Sequence, residues 1–381
     1  MPKTDSKIYL LLLIILLGFQ NLYVQAQLNN KAFENRMVLE AADSGKLFLG
    51  LHFLGFGKNN EYFNTTIDGY TLFGYQLSPY LSYHISKNVR LDAGVYLQKD
   101  FGNTEYSQTV PTLSLNVRKD NFNFIFGTLE GSLNHQLIEP LYDFERVLNK
   151  RLENGIQTQW IKDGLFLDIW VDWQKMIYNN DPDQEKLLGG LSLNKRIWKK
   201  GNTSIEFPLQ LLIQHQGGQI DNNPDPVKQL FNGATGLTLK HASTAFIREW
   251  GLKSYVARYV EQSSARSQYF KDGWGVYINP YITTSFGLTV MGSYWHSDKF
   301  LSFNGGGFYP SRSEQRPERI DKQREIFMLR FLYDVKVADG LNFTLRAEPF
   351  YDTYSKAIEY SYGFYFNYYN RFFLLHARQS R

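Results

Sequence analysis

The feature that most constrains this chain is a hydrophobic period of two. Between Leu165 and Lys175 the odd positions are Leu165, Leu167, Ile169, Val171 and Trp173, and Asp168, Asp172 and Gln174 fall among the even ones. Successive side chains of a strand point to opposite faces, so this segment has one apolar and one largely polar face. Val89–Leu97, Leu113–Val117, Ile205–Ile213, Phe327–Val335, Leu341–Ala347 and Ile358–Tyr368 repeat the split. A helix would mix the two faces at this spacing, and the pattern therefore predicts an all-β chain.

The connections alternate between short and long. Ser86-Lys87-Asn88, Lys119-Asp120-Asn121, Lys162-Asp163-Gly164, Lys200-Gly201-Asn202, Ser285-Phe286-Gly287 and Ala338-Asp339-Gly340 carry the Asn, Asp or Gly that tight hairpins require. Longer polar stretches lie near 58–70, 101–108, 132–153, 177–187, 217–230, 261–272 and 299–323. Short turns at one end and long loops at the other are the habit of transmembrane barrels. A soluble sandwich or propeller is the competing all-β reading, but no blade-length repeat is present. Aromatics make up 16% of the chain and cluster at Trp170/Trp173, Tyr80/Tyr83, Tyr294/Trp295 and Tyr360–Tyr369, as expected of interfacial girdles. Every backbone group in hydrocarbon must pair, so the sheet is expected to close.

Lys3 and Lys7 precede an apolar run from Ile8 to Phe19, and Ala26 ends a suitable cleavage site. This reads as a secretory signal peptide over 1–26, followed by a short segment over 27–44 and a barrel over 45–381. Cleavage leaves 381 − 26 = 355 residues. At about 22 residues per strand and connection, that length corresponds to about sixteen antiparallel up-and-down strands, with a range of about 14–18. The absence of cysteine excludes a disulfide scaffold, a catalytic thiol and a lipidated amino-terminal cysteine. A net charge of +4 argues against a nucleic-acid surface.

The polar faces place Arg90, Asp92, Arg118, Asp168, Asp172, Glu206, Arg330, Asp334, Arg346 and Glu348 toward the lumen as candidate pore-lining residues. Their signs are mixed, and no single-sign ring that could set ion selectivity is visible. The third long loop, Leu133–Leu152, spaces Leu141, Phe144, Leu148 and Leu152 by three and four, which predicts a short amphipathic helix starting near Pro140. Glu139, Asp143, Glu145 and Arg146 on this segment are candidates for a constriction, with an external position as the alternative. Leu301–Gln323 joins a Gly305-Gly306-Gly307 run to aromatic and basic residues. It is read as a solvated loop, with sugar or lipopolysaccharide phosphate contacts as the functional alternative. No catalytic residue, cofactor or metal ligand is assigned. The chain has seven histidines, among them His241 beside Ser243 and His296 beside Ser297, but neither pair has a third member and no G-x-S-x-G occurs.

The alternating strands, the girdles and the aromatic-rich final segment, Tyr360 to His376, resemble Gram-negative outer-membrane barrels of the porin type. That resemblance implies passive diffusion of small hydrophilic solutes, and with no catalytic motif in the sequence no enzyme activity is expected. Its implied partners are outer-membrane lipids and lipopolysaccharide, the barrel-insertion machinery, and copies of the chain in a homotrimer. It also implies a third external loop folded into the channel. Such barrels usually end on a carboxy-terminal Phe, whereas here Ala377–Arg381 follows His376. A weaker likeness to Wzi-type capsule-assembly barrels implies the alternative, a barrel that binds or anchors surface polysaccharide with an occluded lumen. Lipid-modifying activity is the third reading.

Overall fold

A computed structural model describes residues 30–34, 41–64, 66–218 and 220–376. The expected signal peptide lies outside the described residues. The strands are β1 (Lys46–Glu61), β2 (Thr71–Ser86), β3 (Val89–Asp100), β4 (Gln108–Lys119), β5 (Phe122–Thr128), β6 (Asn154–Lys162), β7 (Leu165–Lys175) and β8 (Lys186–Lys200). They continue as β9 (Thr203–Gln216), β10 (Lys228–Ala242), β11 (Ile247–Glu261), β12 (Asp272–Thr284), β13 (Leu288–Asp298), β14 (Gln323–Ala338), β15 (Leu341–Asp352) and β16 (Ala357–His376). Each pairs antiparallel with its sequence neighbours, and β1 closes on β16 from Lys46↔His376 to Glu61↔Tyr360. The architecture is an all-β, closed, up-and-down barrel of sixteen strands, the number expected from chain length.

The period of two is realised as two faces of one wall. Phe126, Ile156, Val171, Trp173, Phe331, Tyr362 and Phe364 are exposed on the outside, while Gln157, Asp168, Arg330, Ser361 and Asn367 are buried inside. Apolar exterior and polar interior are the inverse of a soluble fold, and they suit a wall whose outer solvent is lipid. The short connections form one end; Gly164 and Gly201 supply the positive φ (70° and 56°) that their tight turns need. No helix among the described residues is long and apolar enough to cross a membrane.

The lumen is filled. Residues 129–153 (loop L3) turn inward and bury Leu133, Leu141, Phe144, Val147 and Leu148. The expected amphipathic helix is corrected: only a 3-10 turn, Ser132–His135, and one four-residue helix, α1 (Arg146–Asn149), form. Gln136 at φ 60° breaks any continuation, and lumen groups take the backbone instead. Ile138 N donates to Gln210 Oε1 at 2.9 Å, and Asp143 N donates to Asn304 O at 2.8 Å. Residues 299–322 (loop L7) also enter, burying Phe300, Leu301 and Tyr309, so the solvated reading of that loop is corrected as well. From the short-turn end Phe33 reaches up to an edge-on contact with Phe144 and Tyr365, at 5.2 and 5.1 Å between ring centroids.

Candidate functional site

Two buried charge clusters hold the plug. In the first, Arg330 of β14 is fully buried and touches Glu139 of L3 through Nη2. The same nitrogen donates to Tyr309 Oη at 3.1 Å, and Nε lies 3.3 Å from Glu348 Oε2. Tyr309 in turn donates to Glu139 at 2.8 Å, and Trp295 Nε1 donates to the Tyr309 carbonyl at 3.1 Å. L3, L7 and the wall thus share one guanidinium. In the second cluster, His135 lies between Asp168 (2.8 Å from Nδ1) and Glu153 (2.7 Å from Nε2). With both ring nitrogens occupied, this histidine has no free lone pair for acid–base work. Burial opposes its charge, but Glu153 and Asp168 outweigh burial and hold it up at about 9.

A third cluster lies at the long-loop end. Lys58 and Asn60 occupy the last inward positions of β1, where L1 begins. Lys58 Nζ contacts Glu145 of L3 and donates to Asn60 Oδ1 at 2.9 Å; Asn60 Nδ2 donates to Glu145 Oε1 at 2.7 Å. Tyr70 donates its hydroxyl to the other Glu145 oxygen. Beside them is Asp143, whose Oδ1 accepts from Glu145 N at 3.1 Å. A cavity of about 30 Å³ beside them is lined by Lys58, Tyr70, Asp143, Glu145 and Tyr309, which is room for one or two waters. Burial, then the neighbouring Glu145 charge, pushes the Asp143 carboxyl up to about 7. Burial also raises Glu145, but Lys58 more than offsets it and leaves that carboxyl below its ordinary value. The pair is therefore split, with one fixed anion and one carboxyl that exchanges a proton near neutrality.

The sequence-derived lumen residues are on the inner face, but most are tied into pairs. Arg90 Nε donates to Asp92 at 2.9 Å, Glu206 lies 2.8 Å from Lys240, and Asp334 accepts from Thr344 at 2.6 Å. Asp172 accepts from Asn154 N at 2.9 Å, and the Arg346 guanidinium sits 3.8 Å over the Phe144 ring. Arg118 is half-buried near the short-turn end of β4. Asp168 and Arg330 with Glu348 belong to the two plug clusters. Of the L3 candidates, Glu139, Asp143 and Glu145 enter the clusters described, and Arg146 packs 5.0 Å over the Tyr142 ring. His241 bonds Thr203 Oγ1 at 2.8 Å and His296 packs on Trp274; neither meets its neighbouring serine. Lys58, Asn60 and Tyr70 belong to no sequence motif. Their signal is a lysine and an asparagine on the inward parity of β1, beside the first long loop.

A closed antiparallel barrel with this apolar exterior is an outer-membrane barrel. Its fold is similar to a loop L8 deletion mutant of OmpT from Vibrio cholerae, at 11% identity and a TM-score of 0.51, over 86% of this chain and 100% of that one. It is also similar to OprD from Pseudomonas aeruginosa, at 12% identity and a TM-score of 0.49, over 90% and 100% of the two chains. No curated protein sequence matches. The sequence model of the lipid A 3'-O-deacylase-type family matches residues 39–377, and the chain belongs to that family. Because this is an enzyme family, the expectation of a barrel without enzyme activity is corrected. No serine motif of acyl transfer marks the buried carboxyl–lysine cluster in the sequence.

Proposed function

We propose that this outer-membrane barrel hydrolyses an acyl ester of lipid A or a closely similar glycolipid. The observation that carries the reading is the Lys58–Asn60–Asp143–Glu145 cluster at the long-loop end. In barrels of this topology that end faces outward, level with the head groups of the outer leaflet. The ionised form of Asp143 takes a proton from a water held in the adjoining cavity, and that water attacks the ester carbonyl. Lys58 Nζ is placed to stabilise the oxyanion, and the Asn60 amide and Glu145 hold it there. As the intermediate collapses and the bond from the acyl carbon to the sugar oxygen breaks, Asp143 returns the proton to that oxygen, so ester and water become fatty acid and alcohol. Family membership supports the substrate class. Tyr70, fixed by Glu145, lines the same cavity.

Passive diffusion, which the porin-type resemblance implies, requires L3, L7 and the Phe33 segment to leave the axis. One experiment separates these readings. Purified barrel is incubated with lipid A in mixed micelles and the lipid is followed by mass spectrometry, while the same preparation is recorded in planar bilayers. Loss of one acyl chain, abolished in Asp143→Asn, is the expected result. Intact lipid A from a folded barrel that gives stable ohmic steps would overturn the hydrolase reading in favour of a pore.

A further inference from the structure

The barrel wall is not of even height. β5 and β6 have 7 and 9 residues, whereas β1 and β2 have 16 each. At the long-loop end of β4, Thr109–Leu113 pair with β3 alone, because β5 joins β4 only from Ser114↔Gly127 downward. On the far side, Trp173 and Lys175 of β7 pair with β8 alone, because β6 reaches no higher than Gly155↔Asp172. The wall therefore has a notch two strands wide in its long-loop half, where L3 leaves for the lumen. An unpaired strand edge is tolerated at membrane depth only where it lines a cavity or is covered. A cavity is present: about 170 Å³, bounded by the outward-facing, exposed Leu113 and by the inward-facing His52, Tyr96, Ser114, Leu129 and Arg151.

Arg151 gives this cavity a polarity. Its Nη1 donates to Gln76 Oε1 at 3.2 Å, and among the described residues no carboxylate forms an ion pair with it. Burial pushes its guanidinium down to about 10, which leaves it charged at neutral pH. Asp92, on the same lining, is already held by Arg90 at 2.9 Å, and Glu130 is the remaining acid there. A cavity that reaches the outward-facing Leu113 at one end and holds at the other a guanidinium with no carboxylate ion-paired to it among the described residues complements one kind of molecule, an apolar chain ending in an anionic group.

We propose that the notch between β4 and β7 is a lateral opening through which an anionic amphiphile from the outer leaflet inserts into the lumen, its head group on Arg151 and its chain passing Leu113. This goes beyond ester hydrolysis: the notch cavity and the Asp143 cavity share no lining residue. A fatty acid and a phospholipid offer the same chemistry, and they are told apart by using each as a probe.

The test uses the full-length barrel in nanodiscs with a diazirine-bearing fatty acid, a diazirine phospholipid and a diazirine alkane without a head group. After photolysis, the labelled peptides are mapped by mass spectrometry. Label concentrated in Val110–Ser114 and Leu129–Asn134 from an acid-bearing probe, with little from the alkane, is expected. Arg151→Gln should cut that label roughly tenfold, the equivalent of one charge-assisted hydrogen bond. Leu113→Trp should block it and Glu130→Gln should raise it. Asp143→Asn should leave it unchanged, so failure of the hydrolase reading would not be mistaken for failure of this one. Retention of heat-modifiable migration by each variant confirms the fold. Label spread evenly around the outer wall, or unaltered in folded Arg151→Gln, overturns the proposal.

Discussion

His135 and Trp170 lie face to face, their ring centroids 3.5 Å apart and their planes 8° from parallel. The stack joins L3 to the wall, and the carboxylates of Asp168 and Glu153 at the two ring nitrogens keep the imidazole charged against an aromatic face. The resulting pH dependence has two limbs. His135 is raised in the folded state from 6.5 to about 9, so its contribution is complete below 6.5 and is lost as pH rises through 9. Glu153 is lowered from 4.5 to about 2: burial opposes the shift, but His135 and the hydrogen bonds outweigh it. Its contribution is present above 4.5 and lost as pH falls through 2. Urea unfolding in detergent should therefore show a stability plateau between these limits. His135→Gln, which strands two buried carboxylates, should cost about 3–5 kcal/mol and remove the alkaline limb. An unchanged alkaline limb in that variant would dismiss the assignment.

Asp143 sets a separate prediction, read in rate and not in stability. Its carboxyl is raised from 3.8 to about 7, and the ionised form is the base, so lipid deacylation should climb through pH 7 and level off above it. Asp143→Asn should lower the rate by about 10²–10⁴-fold. Lys58→Met should also slow it, by about 10²–10³-fold as for loss of one oxyanion donor. A profile flat from pH 5 to 9 would remove Asp143 from the reaction.

The wall of this protein was legible because its rule is local. Leu165–Trp173 and Ile358–Tyr368 announce their faces residue by residue, and turns such as Lys200-Gly201-Asn202 carry their own φ requirements. L3 was half legible. The spacing of Leu141, Phe144 and Leu148 correctly marked an apolar side, but such spacing does not fix how many turns form, and α-helix forms only over Arg146–Asn149. The interior was not legible, since its contacts join residues far apart in sequence: Glu139 meets Arg330 across 191 positions and Asn30 meets Arg346 across 316. Which inward residues come level depends on strand tilt and stagger, and alternation says nothing about either. Lys58 and Asn60 therefore looked like any other polar inward residues.

The Arg330–Glu139 contact should behave as the latch between L3, L7 and the wall. Arg330→Met leaves Glu139 buried beside Tyr309 without its cation, and about 3–5 kcal/mol of stability should be lost. Pairing it with Glu139→Leu removes the stranded charge and should return most of that loss; the two sites touch, so the effects will not add. In planar bilayers, Arg330→Met should show openings that the parent lacks. Deleting Ile138–Arg151, which removes the L3 half of the plug, should enlarge them. Equal conductance in parent, Arg330→Met and deletion would show that L3 is no part of the occlusion.

Gly127 and Gly155 face each other in register where β5 and β6 end and L3 turns inward, with φ of 100° and 155°. A Cβ on Gly127 would lie 2.1 Å from the Leu113 carbonyl, and one on Gly155 would lie 2.1 Å from the Val171 carbonyl. Both obstacles are backbone atoms of the flanking strands β4 and β7, which cannot rotate away as a side chain could. Gly127→Ala therefore combines an unfavourable φ with a backbone clash. It should lower the urea midpoint strongly or leave the barrel unassembled, read as loss of the heat-modifiable band. Gly201→Ala is the control. That glycine also has a positive φ, 56°, but nothing lies within 4 Å of its added Cβ. The conformational penalty acts alone there and should cost about 1–2 kcal/mol. If both substitutions cost the same, the clash is relieved by movement of the strand ends, and the bend at Gly127 and Gly155 is not what turns L3 into the lumen.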